Sequence, residues 1–137
     1  MTQDAALALH RAVLEVLRAD AELGMLLGGA RVYDRPPRRL RPPYVTLGEI
    51  VSRDRNTFDA RGERHVVTLH AWSEQGGRRQ AFEIVGRMDA VLDDAPLALD
   101  GHRLVEVRTV FRSVVRMRDG RLFHGILRLE AITHPLV

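Results

Sequence analysis

Two residue types are missing from this 137-residue chain: cysteine and lysine. Without cysteine there is no disulfide, no thiolate nucleophile, no zinc finger and no iron–sulfur ligation. Without lysine there is no Schiff base and no Walker-type phosphate loop, because both need an amine. All 21 basic residues are therefore arginine. No uncharged run approaches the ~20 apolar residues of a membrane span. The start, Met1-Thr2-Gln3-Asp4, carries an acid and no basic cluster before an apolar run, so it does not read as a secretory signal. The chain is expected to be made and kept in a cytoplasm, without a membrane partner.

What is present is the composition of one ordinary globular domain, expected to span residues 1–137, with 45% apolar and 28% charged residues. The net charge is only +3, because 21 arginines face 18 acids. Spread evenly, that balance is a solvated mixed-charge surface, and a nucleic-acid footprint would need clustering on one face.

Hydrophobic periodicity predicts a helix from Asp4 to about Leu27, with Ala6, Leu9, Val13, Val16 and Leu17 spaced by threes and fours. Gly24 is the expected break and Gly28-Gly29 the stop. A short extended piece, Arg31-Val32-Tyr33, precedes a stiff proline loop from Arg35 to Pro43. Tyr44 to about Arg53 reads as a strand with Val45 and Leu47 on one face and Tyr44, Thr46 and Ile50 on the other. After the polar connection 54–62, a strand from Glu63 to Ser73 carries apolar residues on both faces, as a central strand would. Gly76-Gly77 opens a second helix through about Leu92, ended by Asp93-Asp94-Ala95-Pro96. Two long strands joined at Asp119-Gly120 follow. The first is expected to set Val105, Val107, Phe111, Val115 and Met117 against Glu106, Arg108, Arg112 and Arg116. The second sets Phe123, Leu127, Leu129 and Ala131 against His124, Arg128 and Glu130. The order α-β-β-β-α-β-β predicts an α+β fold: a largely antiparallel or mixed five-stranded sheet with two helices packed on it.

Candidate chemistry is thin. His65 and His70 lie five apart on one strand, hence on opposite faces, and His10, His102, His124 and His134 each lack a second ligand at metal spacing. The three serines, Ser52, Ser73 and Ser113, sit in no nucleophile elbow, and Asp93-Asp94 reads as a helix-ending turn. No catalytic, metal-binding or cofactor-binding residues are expected. Arginine does cluster. Arg35, Arg38, Arg39 and Arg41 crowd the proline loop, and Arg53, Arg55 and Arg61, with Phe58 and Asp59, mark the 54–62 connection. These read equally as a docking surface for protein or passing DNA, or as solubility in exposed loops. Phe58 is the one aromatic residue among them, too few for a row of stacking platforms, which argues against sequence-specific nucleic-acid binding.

Several segments, in order, resemble the tail-completion, or tail-terminator, family of long-tailed phages and gene transfer agents. They are Ala5-Ala6-Leu7, Leu23-Gly24-Met25-Leu26, Arg31-Val32-Tyr33-Asp34, and Pro43-Tyr44-Val45-Thr46-Leu47-Gly48-Glu49. Val67 to Ser73 with Gly76-Gly77, Ala95-Pro96-Leu97, Gly101-His102-Arg103-Leu104 and Phe123-His124-Gly125-Ile126-Leu127 complete the pattern. The resemblance implies a structural virion protein, not an enzyme. It would cap the head-proximal end of a tail tube as a ring, typically a hexamer, stop polymerisation, and meet the tube protein on one side and the head-completion or stopper protein on the other. DNA would pass without sequence recognition. The alternative is a head-tail connector that contacts DNA in its lumen, and behind it a small ligand-binding α+β domain.

Overall fold

The computed structural model describes residues 4–56, 61–74, 78–118 and 120–136. Helix α1 (Ala5–Ala19) starts where the Asp4 carboxylate accepts from the Leu7 N–H, and it buries Ala5, Ala8, Leu9, Ala12, Val13 and Leu17. The predicted single helix is two. The break falls at Asp20 rather than Gly24, and Gly24 lies inside α2 (Ala21–Leu27). The reason is electrostatic and conformational together. Asp20 is extended, accepts from the Leu23 N–H at 2.9 Å to cap α2, and takes both prongs of the Arg87 guanidinium at 2.8 Å. The Arg87 fork holds the Asp20 carboxyl below its usual range against the opposing effect of burial, and the Leu23 N–H helps. Gly28, at φ 79°, then ends α2 as expected.

The strands are β1 (Val32–Tyr33), β2 (Tyr44–Asp54), β3 (Glu63–Ser73), β4 (His102–Arg116) and β5 (Phe123–Pro135), with α3 (Arg78–Leu92) between β3 and β4. They form one sheet in the order β1-β2-β3-β5-β4, parallel between β1 and β2 and antiparallel elsewhere. The α+β class and the mixed five-stranded sheet stand as predicted, with three helices in place of two. Residues 75–77, including Gly76-Gly77, and Asp119 lie outside the described residues. The hairpin itself is present: β4 pairs with β5, and Gly120 sits at φ 73°.

Two expected face assignments are corrected, for one reason. A register shift between Leu47 and Ile50 inserts one extra residue in β2, so Ile50 shares its face with Val45 and Leu47 rather than with Tyr44. In β4 a shift between Thr109 and Phe111 does the same. Val107 packs into the core, whereas Phe111 and Val115 emerge on the opposite face and are 42% and 44% exposed. Val114, which the expected alternation would set on one face with Arg112 and Arg116, packs against the core instead.

The three helices share one face of the sheet, and one core cluster joins Leu9, Leu17, Leu23, Ile84 and Met88 to Val45, Leu69, Leu127 and Leu129. Helix α3 lies closest. A Cβ built on Gly125 of β5 would stand 2.5 Å from Val85 Cγ2 and 3.3 Å from Ala71 Cβ. Gly125→Ala is expected to destabilise the fold by about 2 kcal/mol through overpacking. Urea denaturation reads it as a lower midpoint at unchanged slope, and an unchanged midpoint would contradict this packing.

Candidate functional site

The register places the loops at two ends of the sheet. Tyr44 pairs with Trp72, Trp72 with His124, and His124 with Val115, so these four residues form one row near one end. The chain segments that precede Tyr44, follow Ser73 and connect Arg116 to Phe123 all gather beyond that row. At the other end Asp54 pairs with Glu63, Glu63 with Thr133 and His102 with Pro135. An 11-residue strand separates the ends, roughly 30 Å at ~3.3 Å per residue.

The two predicted arginine groups are therefore not one surface. Arg41 belongs to the first end, where it stands 3.9 Å from Glu74 and its carbonyl accepts from Arg31. Arg35, Arg38 and Arg39 are exposed in the adjoining proline loop. Arg53, Arg55 and Arg61 are exposed at or near the second end, where Arg55 N–H donates to the Gly62 carbonyl at 2.8 Å and Gly62 N–H to Asn56 Oδ1 at 3.1 Å. Phe58 and Asp59 lie outside the described residues. A groove of about 320 Å³ there is lined by Asp54, Arg61, Glu63 and His102 among others. Acids and arginines are mixed at this end.

The first end is different. Besides Arg41 it collects Arg78 and Arg79 from the start of α3, and Arg116, Arg118 and Arg121 from the β4–β5 hairpin. All six are exposed. Reading the chain as separate loops misses this convergence, because the residues lie far apart in sequence. Only the antiparallel pairing of β2, β3, β5 and β4 brings them together.

On the sheet face away from the helices, next to this end, runs an aromatic and histidine ladder. Tyr33 meets Tyr44 edge-on at 6.5 Å, Tyr44 lies 6.5 Å from Trp72, and Trp72 stacks flat on His124 at 4.1 Å and 3°. His70 and His124 share a hydrogen bond, Nδ1 to Nε2, at 2.8 Å, and Trp72 Nε1 donates to Thr46 Oγ1 at 3.3 Å. Gly48 makes the room: a Cβ there would come 2.7 Å from His70 Nε2. His65, on the opposite face as its spacing required, is fully buried between Ser52 Oγ at 2.7 Å and Thr133 Oγ1 at 3.0 Å. These histidines serve one another and nearby hydroxyls. Among the described residues no three metal-ligating side chains converge. A groove of about 580 Å³ between α3 and β4 is lined mostly by apolar side chains such as Phe82, Val85, Val110 and Val114, and Arg112 is the only ionisable residue lining it.

Burial holds the pKa values of His70 and His124 below the ordinary value of 6.5, reinforced by Arg128 at His70 and by His70 at His124. Burial does the same to His65, opposed by Glu63 and Asp4. A depressed folded-state pKa contributes stability that is present above about pH 6.5 and lost as pH falls through the folded values. The fold is therefore expected to be less stable at pH 5 than at pH 7.5, with Trp72, the one tryptophan of the chain, reporting the change by fluorescence. The double variant His70→Gln with His124→Gln should lose less over that interval, keeping only the share due to His65 and other groups. An equal loss in both proteins would contradict the assignment.

The family described as Tail completion protein gp17 matches residues 11–134 of this chain. A curated relative, Tail completion protein gp17 of Bacillus phage SPP1, is 29% identical over 125 residues, which span 90% of each protein. A chain in the solved virion of a native gene transfer agent particle superposes with a TM-score of 0.88 at 28% identity, covering 97% of this chain and 99% of that one. The likeness is to structural tail proteins of virions and not to enzymes, and no helix among the described residues is long and apolar enough to cross a membrane.

Proposed function

Because this chain belongs to the Tail completion protein gp17 family, we propose that it caps the head-proximal end of a phage-like tail tube. Acting as a single domain, it stops tube polymerisation and joins the tail to the head-completion proteins. The observation that carries this reading is the contrast between the two ends of one sheet, about 30 Å apart. One end carries Arg41 with the hairpin and α3 arginines; the other mixes Arg55 and Arg61 with Asp54 and Glu63. A subunit that must hold two dissimilar neighbours needs two such surfaces. Arg35, Arg38, Arg39 and Arg41 serve one neighbour, and Arg53, Arg55 and Arg61 with Phe58 and Asp59 serve the other.

Copies of the chain assemble into a ring, a hexamer in the particle. Support for self-association comes from β4, which is the sheet's outer strand and exposes Val105 at 47% and Val110 at 52%. A long edge strand with apolar side chains in solvent invites a neighbour. Heterologous contacts of this kind close by rotation into a ring. DNA passes through the ring without sequence recognition. A second reading, a connector that contacts the DNA in its lumen, is favoured by the arginine-rich end alone.

Particles produced without this protein provide the test by negative-stain imaging. The expected products are tailless heads and free tubes of uncontrolled length. Attached tails of normal length would overturn the proposal.

A further inference from the structure

We infer that copies of this chain join edge to edge, the second half of β4 in one copy pairing antiparallel with the second half of β2 in the next. Each of these strands has an outer edge that is half covered and half open. Strand β1 pairs with β2 only at Val45 and Thr46. From Gly48 to Asp54 that side of β2 has no strand beside it among the described residues. On β4 the connection from α3 covers the first half. Leu99 bridges to His102, Asp94 N–H donates to the Val107 carbonyl at 3.0 Å, and Thr109 N–H donates to Asp93 Oδ1 at 2.9 Å. Beyond Thr109 no described segment bonds to this edge, so it is open from Val110 to Arg116. Each open stretch is seven residues long. Backbone N–H and C=O groups left unpaired along such an edge are a template for another strand.

The two edges fit each other. Val51 at 38% exposure and the exposed Phe111 and Val115 all lie on the sheet face away from the helices, and all belong to the open stretches. Aligned over their full length, the stretches set Val51 opposite Ser113, with Phe111 and Val115 at its diagonals, where cross-strand side chains meet. Direction agrees as well. Strands β2 and β4 run in opposite senses within one copy, so copies that share an axis direction meet antiparallel. The stagger is what a closed ring needs. Val51 shares a row with Val66, Glu130 and Arg108, whereas Ser113 lies four rows on, level with Ile126 and His70. Each joint therefore steps the sheet by about 13 Å over four strands about 19 Å wide. That slope tilts the strands by about 35°, the lower end of the range for closed barrels. Two-fold pairing of β4 with β4 would stop at a dimer.

This inference rests on the ring reading and adds which edges meet. The chain has no cysteine, so introduced cysteine pairs report the contact in assembled particles. Val51→Cys with Ser113→Cys should give a ladder of disulfide-linked multimers under mild oxidation, because directly opposite residues lie within disulfide reach. The control, Val51→Cys with Arg108→Cys, uses the same strands and the same face but the covered half of β4. It should give at least tenfold less cross-linked chain. Attached tails of normal length in both variants show that each folds and assembles. Equal cross-linking by the two pairs, or dimers from Ser113→Cys alone, overturns the edge pairing. Copies per tail, counted by mass spectrometry against the tube protein, separate the two readings. No ladder with several copies per tail overturns the pairing and leaves the ring; one copy per tail overturns both.

Discussion

The uninterrupted ladder between β3 and β5 is the constraint from which the rest of the molecule is registered. Eleven consecutive residue pairs, from Glu63 with Thr133 to Ser73 with Phe123, run without a bulge. On one side of this ladder sit Val67, Leu69, Ala71, Leu127 and Leu129, all buried beneath the helices. On the other stand His70, Trp72, His124 and Arg128. A one-residue slip would exchange these two sets and bury the charged one, so the hydrophobic effect pins the register. Both flanking ladders do contain shifts, and each tunes a face without disturbing the central pair. Gly125, in the same ladder, fixes how closely α3 can approach. Through Asp20, Arg87 of α3 in turn positions the corner between α1 and α2.

That hierarchy accounts for what could be read from the residues beforehand. The strands were legible because β5 alternates buried and open residues from Phe123 to Ala131 and β3 is apolar on both faces as a central strand is, and the hairpin because Gly120 supplies the positive φ a tight turn needs. The α1–α2 corner was not, because its cause is a tertiary contact. Nothing near Asp20 announces that Arg87, 67 residues on, will hold it. Gly24 was the more visible breaker, yet a glycine inside a helix costs only about 1 kcal/mol. The faces of Ile50, Phe111 and Val114 were misassigned because a bulge reverses alternation, and a bulge is invisible until the partner strand is known.

The candidate contacts show the same division. Arg35, Arg38, Arg39 and Arg41 were conspicuous because they crowd one proline loop. Arg78, Arg79, Arg116, Arg118 and Arg121 were not, because each short segment is unremarkable alone and only strand order makes them neighbours. Strand β2 also sets the proline loop before Tyr44 and the arginines that follow Asp54 at opposite ends of the sheet, which neither loop shows by itself. The missing cysteine and lysine, by contrast, needed no structure to narrow the chemistry. What the fold adds is an axis: one sheet, one helical layer, and two unlike ends that suit a protein placed between two others.

The absence of native cysteine allows that axis to be tested directly in assembled particles. Arg118→Cys and Arg61→Cys place single thiols at the two ends, and each is cross-linked in place with a short thiol-reactive reagent. The account predicts adducts with two different proteins, the tail tube protein from one position and a head-completion protein from the other. Capture of the same partner from both positions would contradict it.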